Sequence, residues 1–306
     1  MRQVLAVVAG VVLSLEIIAA QVATTPNFPA AVPPGTNVVR DLAYVESGDE
    51  RQKLDLYLPG TSPGPYPVIL WIHGGQWNRP GKESHPMFPL ASSFVADGFA
   101  VASMNYRFSQ QAIFPAQIHD AKAAVRWLKR NAQTYGLDAN KIVAWGASSG
   151  GHLAALLGTS AGAPDLGDSD DRVSRVQAVI DFFGPTDFLQ MDAHRGPDGF
   201  IHNDPSSTES RLVGGLITEH AAAVRRANPL TYVSADDPPF LIAHGDHDVS
   251  VPHHQSEILA SALTNVGVSA TLRTVEGAGH NDPAFRAADI RSLVLTFLRR
   301  HVVVAR

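Results

Sequence analysis

Apolar positions along this chain follow two rhythms. Leu54-Asp55-Leu56-Tyr57-Leu58 alternates apolar and polar with a period of two, as a half-buried strand does. Residues 68–73 are instead a continuous apolar run, the pattern of a strand covered on both faces. Further short apolar runs predict strands at 99–105, 141–145, 176–183, 240–244 and 270–275. Between them the spacing turns helical. Ile118, Ala121, Val125 and Leu128 predict a helix over 115–135, with Pro115 at its start and Gly136 just past its end. A second helix is predicted from Ser148 through the apolar stretch 152–157, and two more over 253–266 and 283–300. Strands alternating with helices predict an α/β chain with a mostly parallel central sheet and helices on both faces.

Two stretches break this rhythm. Residues 187–228 lie between two core strands and carry Gly196, Pro197, Gly199 and Pro205. They are too long for a plain crossover and predict a lid inserted over the sheet. At the other end, Arg2 precedes an apolar stretch over 4–15, then small residues up to Ala23. That order predicts a signal peptide over 1–23, hence a secreted or periplasmic protein with no membrane anchor after cleavage. Glu16 interrupts the stretch, which is short for a membrane span. Residues 24–36, with Pro26, Pro29, Pro33 and Pro34, predict a linker ahead of a domain over 37–306.

Composition narrows the chemistry. The chain has no cysteine, which excludes disulfides, a thiol nucleophile, Cys-ligated metal and a lipid-modified cysteine. A net charge of −5 with no basic run argues against nucleic-acid partners. His253 and His254, near Asp246 and His247, match no metal-ligand spacing, so no metal and no other cofactor is expected. His253 and His254 read instead as exposed residues opening a helix.

Gly146-Ala147-Ser148-Ser149-Gly150 is a G-x-S-x-G sequence between a predicted strand and a predicted helix. In that context Ser148 sits on a sharp turn that lifts its hydroxyl clear of the sheet edge, as a nucleophile requires. A serine hydroxyl needs a histidine to take its proton and a carboxylate to orient that histidine. Of thirteen histidines, His280 lies in a loop just past the last predicted strand, at the edge that carries Ser148. The loop after strand 240–244 offers Asp246 and Asp248 at the same edge. His152 reads as helix packing, His119 as a helix-face residue, His73 as a loop organiser and Asp187 as the turn into the lid. His73-Gly74-Gly75-Gln76-Trp77 follows the strand 68–72. Its backbone N–H groups at Gly75 and Gln76, with that of Ser149, are candidates for an oxyanion hole. Trp77 is a candidate pocket residue. The order serine, aspartate, histidine suits acyl transfer on an α/β scaffold.

The segment 146–154 resembles the nucleophile segment of bacterial α/β-hydrolase esterases of the bifunctional feruloyl and acetyl-xylan esterase type. These are relatives of the hormone-sensitive-lipase and prolyl-oligopeptidase-like groups. Ile72-His73-Gly74-Gly75, Asn105-Tyr106-Arg107, Phe114-Pro115-Ala116, Asp237-Pro238-Pro239-Phe240 and the segment 181–187 also match, so the resemblance covers about 40–300. It implies the α/β-hydrolase fold and hydrolysis of carboxylic esters, with small-molecule or polysaccharide-linked esters as substrates. In that family the triad acid stands three residues before Val-Pro, which falls on Asp248; the histidine falls on His280. The family often has a third glycine where this chain has Gln76. Two other functions compete. A prolyl-oligopeptidase-like peptidase usually carries a large domain before the catalytic one, and only about forty residues precede it here. Non-catalytic binding modules of this fold typically lose a triad member, and all three candidates are present.

Overall fold

The computed structural model describes residues 32–302 other than 61–62, 80 and 168–170. The leader predicted over 1–23 and most of the linker predicted over 24–36 lie outside the described residues. Eight strands form one sheet: β1 (Asn37–Ala43), β2 (Lys53–Leu58), β3 (Tyr66–Ile72), β4 (Ala100–Met104), β5 (Leu137–Ala147), β6 (Ala178–Phe182), β7 (Phe240–Gly245) and β8 (Ala270–Val275). Their order is β1-β2-β4-β3-β5-β6-β7-β8. β1 and β2 run antiparallel to their neighbours, and all pairs from β4 to β8 are parallel.

The continuous apolar run in β3 resolves into a period of two once the faces are assigned. Val68, Leu70 and Ile72 enter one core cluster with Leu54, Leu56, Ile142 and Ala144. Ile69 and Trp71 enter the other with Tyr57, Val101, Val143 and Trp145. Helices close both faces. Ile118, Ala121, Val125 and Leu128 of the helix Ala116–Arg130 cover the first cluster, with Leu259 and Leu263 of the helix His254–Asn265. Ile290, Val294 and Leu298 of the helix Ala288–His301 cover the second, with Phe88 and Ala91 of the short helix Phe88–Ser93. The central strands are thus desolvated on both faces, which is the main stabilising contribution in such a sheet.

The structure departs from the sequence reading in places. The helix predicted over 115–135 breaks at Asn131 into Ala116–Arg130 and Ala132–Tyr135. The last helix starts only at Ala288, after a 3-10 turn Pro283–Arg286. β5 begins four residues before the predicted 141; residues 138–141 carry no buried side chain and so show no apolar run. β1, an edge strand with no buried residue, has no apolar alternation to reveal it. Among the described residues no helix is long and apolar enough to cross a membrane.

Candidate active site

The parallel strands deliver their carboxyl ends to one rim, and the candidate residues sit in the loops there. β5 runs into a tight turn at Ser148 (φ 55°, ψ −125°) and straight on into the helix Ser149–Thr159. A non-glycine residue is strained in that conformation, and the surroundings hold it there. The Ser148 N–H donates to the Phe182 carbonyl at 2.8 Å, tying the turn to β6. Glycines flank it because nothing larger fits. A Cβ at Gly146 would lie 2.0 Å from the Gly150 carbonyl oxygen, and one at Gly150 would lie 2.0 Å from the Ile72 oxygen. The turn is therefore jammed against the end of β3, where the 73–77 segment begins.

That segment is itself held in left-handed backbone: Gly75 has φ 116°, Gln76 φ 59° and Trp77 φ 55°. The positive φ at Gln76 is a conformation that glycine would adopt without strain. The Gly75 carbonyl accepts from the N–H groups of Asn78 and Arg79, at 3.0 Å each, which fixes the curl. The backbone N–H groups of Gly75, Gln76 and Ser149 have no acceptor among the described residues. His73 organises this loop. Its Nδ1–H donates to the Gly74 carbonyl at 2.5 Å, and its ring stacks on Tyr106 at 4.5 Å. Burial pushes the His73 pKa down to about 3, so it stays uncharged. The Tyr106 hydroxyl donates to the His73 carbonyl at 3.0 Å and lies 3.4 Å from the Ser149 hydroxyl.

The three residues distant in sequence meet. His280 Nε2 lies 2.9 Å from Ser148 Oγ, and His280 Nδ1 lies 2.6 Å from Asp248 Oδ2. A carboxylate only accepts, so Nδ1 carries the proton and Nε2 faces the serine hydroxyl as an acceptor. Asp248 is fixed from its other side by the N–H groups of Ser250 and Val251, at 2.8 and 2.9 Å to Oδ1. Burial would raise the Asp248 carboxyl, but hydrogen bonds from His244 and His280 hold it well below the usual carboxylate range. Asp246 takes a different part: it accepts from the Gly277 N–H at 2.6 Å, bracing the loop that carries His280. The two loops also touch through the backbone, since the His247 N–H donates to the Ala278 carbonyl at 3.1 Å.

His244, at the end of β7, was not picked out by the sequence. Its Nε2–H donates to the Val251 carbonyl at 2.9 Å and points at Asp248 Oδ2 from 3.2 Å; its Nδ1 accepts from the Ser256 hydroxyl at 2.7 Å. Phe183 (φ 45°) packs edge-on against the His280 ring at 4.8 Å. Below the turn, burial raises the Asp181 pKa to about 7; its Oδ1 accepts from the Gly184 N–H. His152 is helix packing: fully buried, it donates from Nε2 to the Ala227 carbonyl at 2.7 Å. Asp187 caps the turn beyond β6 by accepting from the Leu189 N–H. His253 and His254 are half-buried rather than exposed. The helix start that carries them is tucked against Thr274 of β8 and the turn Met191–His194, where His253 bonds Thr274 and His254 stacks on His194 at 3.4 Å.

Ser148 and His280 open into a pocket of about 430 Å³. Gln76, Trp77 and Ser149 line it from the core side. Trp77 is itself buried, edge-on to His152 and Phe188. Residues 200–202, 204 and 206–209 form much of the remaining wall, and the sequence picked out none of them singly.

Against known proteins, a family model described as BD-FAE matches residues 54–263. Esterase LipQ of Mycobacterium tuberculosis is 32% identical over 82% of this chain; the match takes in 58% of LipQ, so the chain spans little more than half of that relative. Among solved structures, a truncated form of a carbohydrate esterase from gut microbiota superposes with a TM-score of 0.78 at 33% identity, covering 86% of this chain and 95% of the other. Thermogutta terrifontis esterase 2 phosphonylated by sarin superposes with a TM-score of 0.70 at 26% identity, covering 89% and 97%. The strand order, the rim of loops and these likenesses agree: the chain belongs to the BD-FAE family of α/β-hydrolase-fold esterases.

Proposed function

We propose that the protein is a serine carboxylic-ester hydrolase that works through an acyl-enzyme, with Ser148, His280 and Asp248 as its catalytic triad. The observation that carries this is the unbroken chain of hydrogen bonds from Ser148 Oγ through His280 to Asp248, on a strained turn that points the hydroxyl into a pocket. Ser148 Oγ attacks the ester carbonyl while its proton moves to His280 Nε2. Asp248 keeps the imidazole in the tautomer that accepts this proton, and its charge offsets the imidazolium that forms. The carbonyl oxygen becomes an oxyanion and accepts from the N–H groups of Gly75, Gln76 and Ser149. Losing one such donor typically costs roughly two to three orders of magnitude in rate. As the tetrahedral species collapses, the C–O bond breaks and His280 returns the proton to the departing alcohol. Water, deprotonated by His280, then releases the acid and restores the serine. No step calls on a cofactor.

The pocket suits a short acyl group, acetyl or feruloyl esters included, on a small alcohol or a polysaccharide. Residues 187–228 serve as the cap that shapes it. The leader makes the protein secreted or periplasmic, where such esters occur. Turnover of a panel tests this: 4-nitrophenyl acetate, butyrate and octanoate, methyl ferulate, acetylated xylan and a prolyl peptide anilide. Short esters are hydrolysed and the anilide is not. A preference for the anilide would favour the peptidase reading, and failure of every ester would favour a non-catalytic module.

A further inference from the structure

The pocket has a second polar wall that the reaction does not use. His202 and Glu209 both line it, and both are buried, at 3% and 5% exposure. His202 Nδ1 lies 3.3 Å from Glu209 Oε1. The backbone holds each in place. The His202 N–H donates to Asp192 at 2.8 Å, and Glu209 sits in the first turn of the helix Thr208–Val213, capped by the Ser207 side chain. Yet His202 Nε2 is buried with no hydrogen-bond partner, and the Glu209 carboxylate, whose recorded contact among the described residues is with His202, lines the pocket. A largely buried carboxylate with one long protein contact gains from a further donor placed in the pocket.

The charge of the wall says what that donor can be. Asp204 also lines the pocket, already engaged by the N–H and hydroxyl of Ser206, while no lysine or arginine among the described residues does. A wall with carboxylates and no fixed cation repels an anionic group and accepts from a neutral hydroxyl. We propose that Glu209, positioned by His202, is a specificity-determining residue that accepts a hydrogen bond from a substrate hydroxyl near the scissile ester. The proposal rests on the ester-hydrolase reading above and deepens it. A merely structural Glu209, stabilising its short helix, would leave discrimination between substrates unchanged.

The test is steady-state kinetics on a methyl pyranoside monoacetate, each of its mono-deoxy analogues and the matching uronate monoacetate, with 4-nitrophenyl acetate alongside. Wild type, Glu209→Gln and His202→Gln are compared, with melting temperatures recorded. In the wild type, removing one particular hydroxyl lowers kcat/KM by roughly 10- to 100-fold, the weight of a hydrogen bond to a charged group. The uronate is likewise disfavoured. In Glu209→Gln the parent-to-deoxy ratio collapses to within about threefold, chiefly through KM, and the uronate gains relative to the parent. His202→Gln shifts the ratio in the same direction by less. The proposal is overturned if the wild type is indifferent to every deoxy change, or if the ratio survives in a folded Glu209→Gln. Should that variant fail to fold, the deoxy and uronate arms of the wild type decide alone. Turnover of 4-nitrophenyl acetate without the pyranoside acetate overturns Glu209's role only; turnover of neither overturns the ester-hydrolase reading as well.

Discussion

Ser148→Ala loses esterase activity by about four to six orders of magnitude, the range seen when a triad nucleophile is removed, and leaves the fold intact. The loss is large because the hydroxyl is the atom that forms the new bond, and no other serine takes its place. Ser149 is next in sequence, but its hydroxyl lies by Tyr106 and makes no bond to His280. Stability separates two effects at this position. Alanine keeps the Cβ that is strained at φ 55°, so its unfolding free energy stays close to wild type. Glycine adopts that conformation freely, so Ser148→Gly is equally inactive but more stable, by up to the ~1–3 kcal/mol such strain costs. Urea unfolding of the two variants beside their activities checks this. An active Ser148→Ala protein would remove the nucleophile from the account; a Ser148→Gly protein no more stable than wild type would remove the strain.

The second large effect lies two residues further on. Gly150→Ala places a methyl 2.0 Å from the Ile72 carbonyl oxygen and 2.7 Å from that of His73. Both obstacles are backbone, so no side chain can swing aside. Either the helix Ser149–Thr159 retreats or the 73–77 loop moves, and both displace the hydroxyl from the oxyanion donors. The cost is expected at about 3–4 kcal/mol or more, with a fall in melting temperature of roughly 10 °C and loss of activity. Gly196→Ala is the control. A methyl there meets nothing within 4 Å, and the variant stays within about 0.5 kcal/mol of wild type. Calorimetry on both variants gives the comparison, and a stable, active Gly150→Ala protein would mean that the turn is not jammed against β3.

How far the sequence carried this picture depends on where the determining physics lies. Strands such as 68–72 were legible because double burial demands an unbroken apolar run, a feature local to the chain. β1 was not, because it is stabilised by pairing with β2 rather than by burial of its own side chains. The serine, aspartate and histidine were legible because each sits at a loop type with a motif, and the structure brings the three together. The choice of Asp248 over Asp246 came from the family's spacing; in the fold Asp246 braces the Gly277 backbone instead. His244, Glu209 and His202 stayed hidden. Nothing in their neighbours marks them, and their roles arise only when β7 meets the Asp248 loop and when 200–209 folds over the pocket. The strain at Gln76 was equally invisible, since glutamine gives no hint of left-handed backbone.

In the proposed mechanism one activated hydroxyl, held by His280, does the covalent chemistry. Labelling with a fluorophosphonate, followed by intact-mass and peptide mass spectrometry, tests it without any assumption about the substrate. One adduct per chain is expected, on the peptide carrying Ser148, formed in step with loss of esterase activity and slowed at least a hundredfold by His280→Ala. An adduct on Ser149 or on another peptide, or unchanged labelling once His280 is gone, would contradict it.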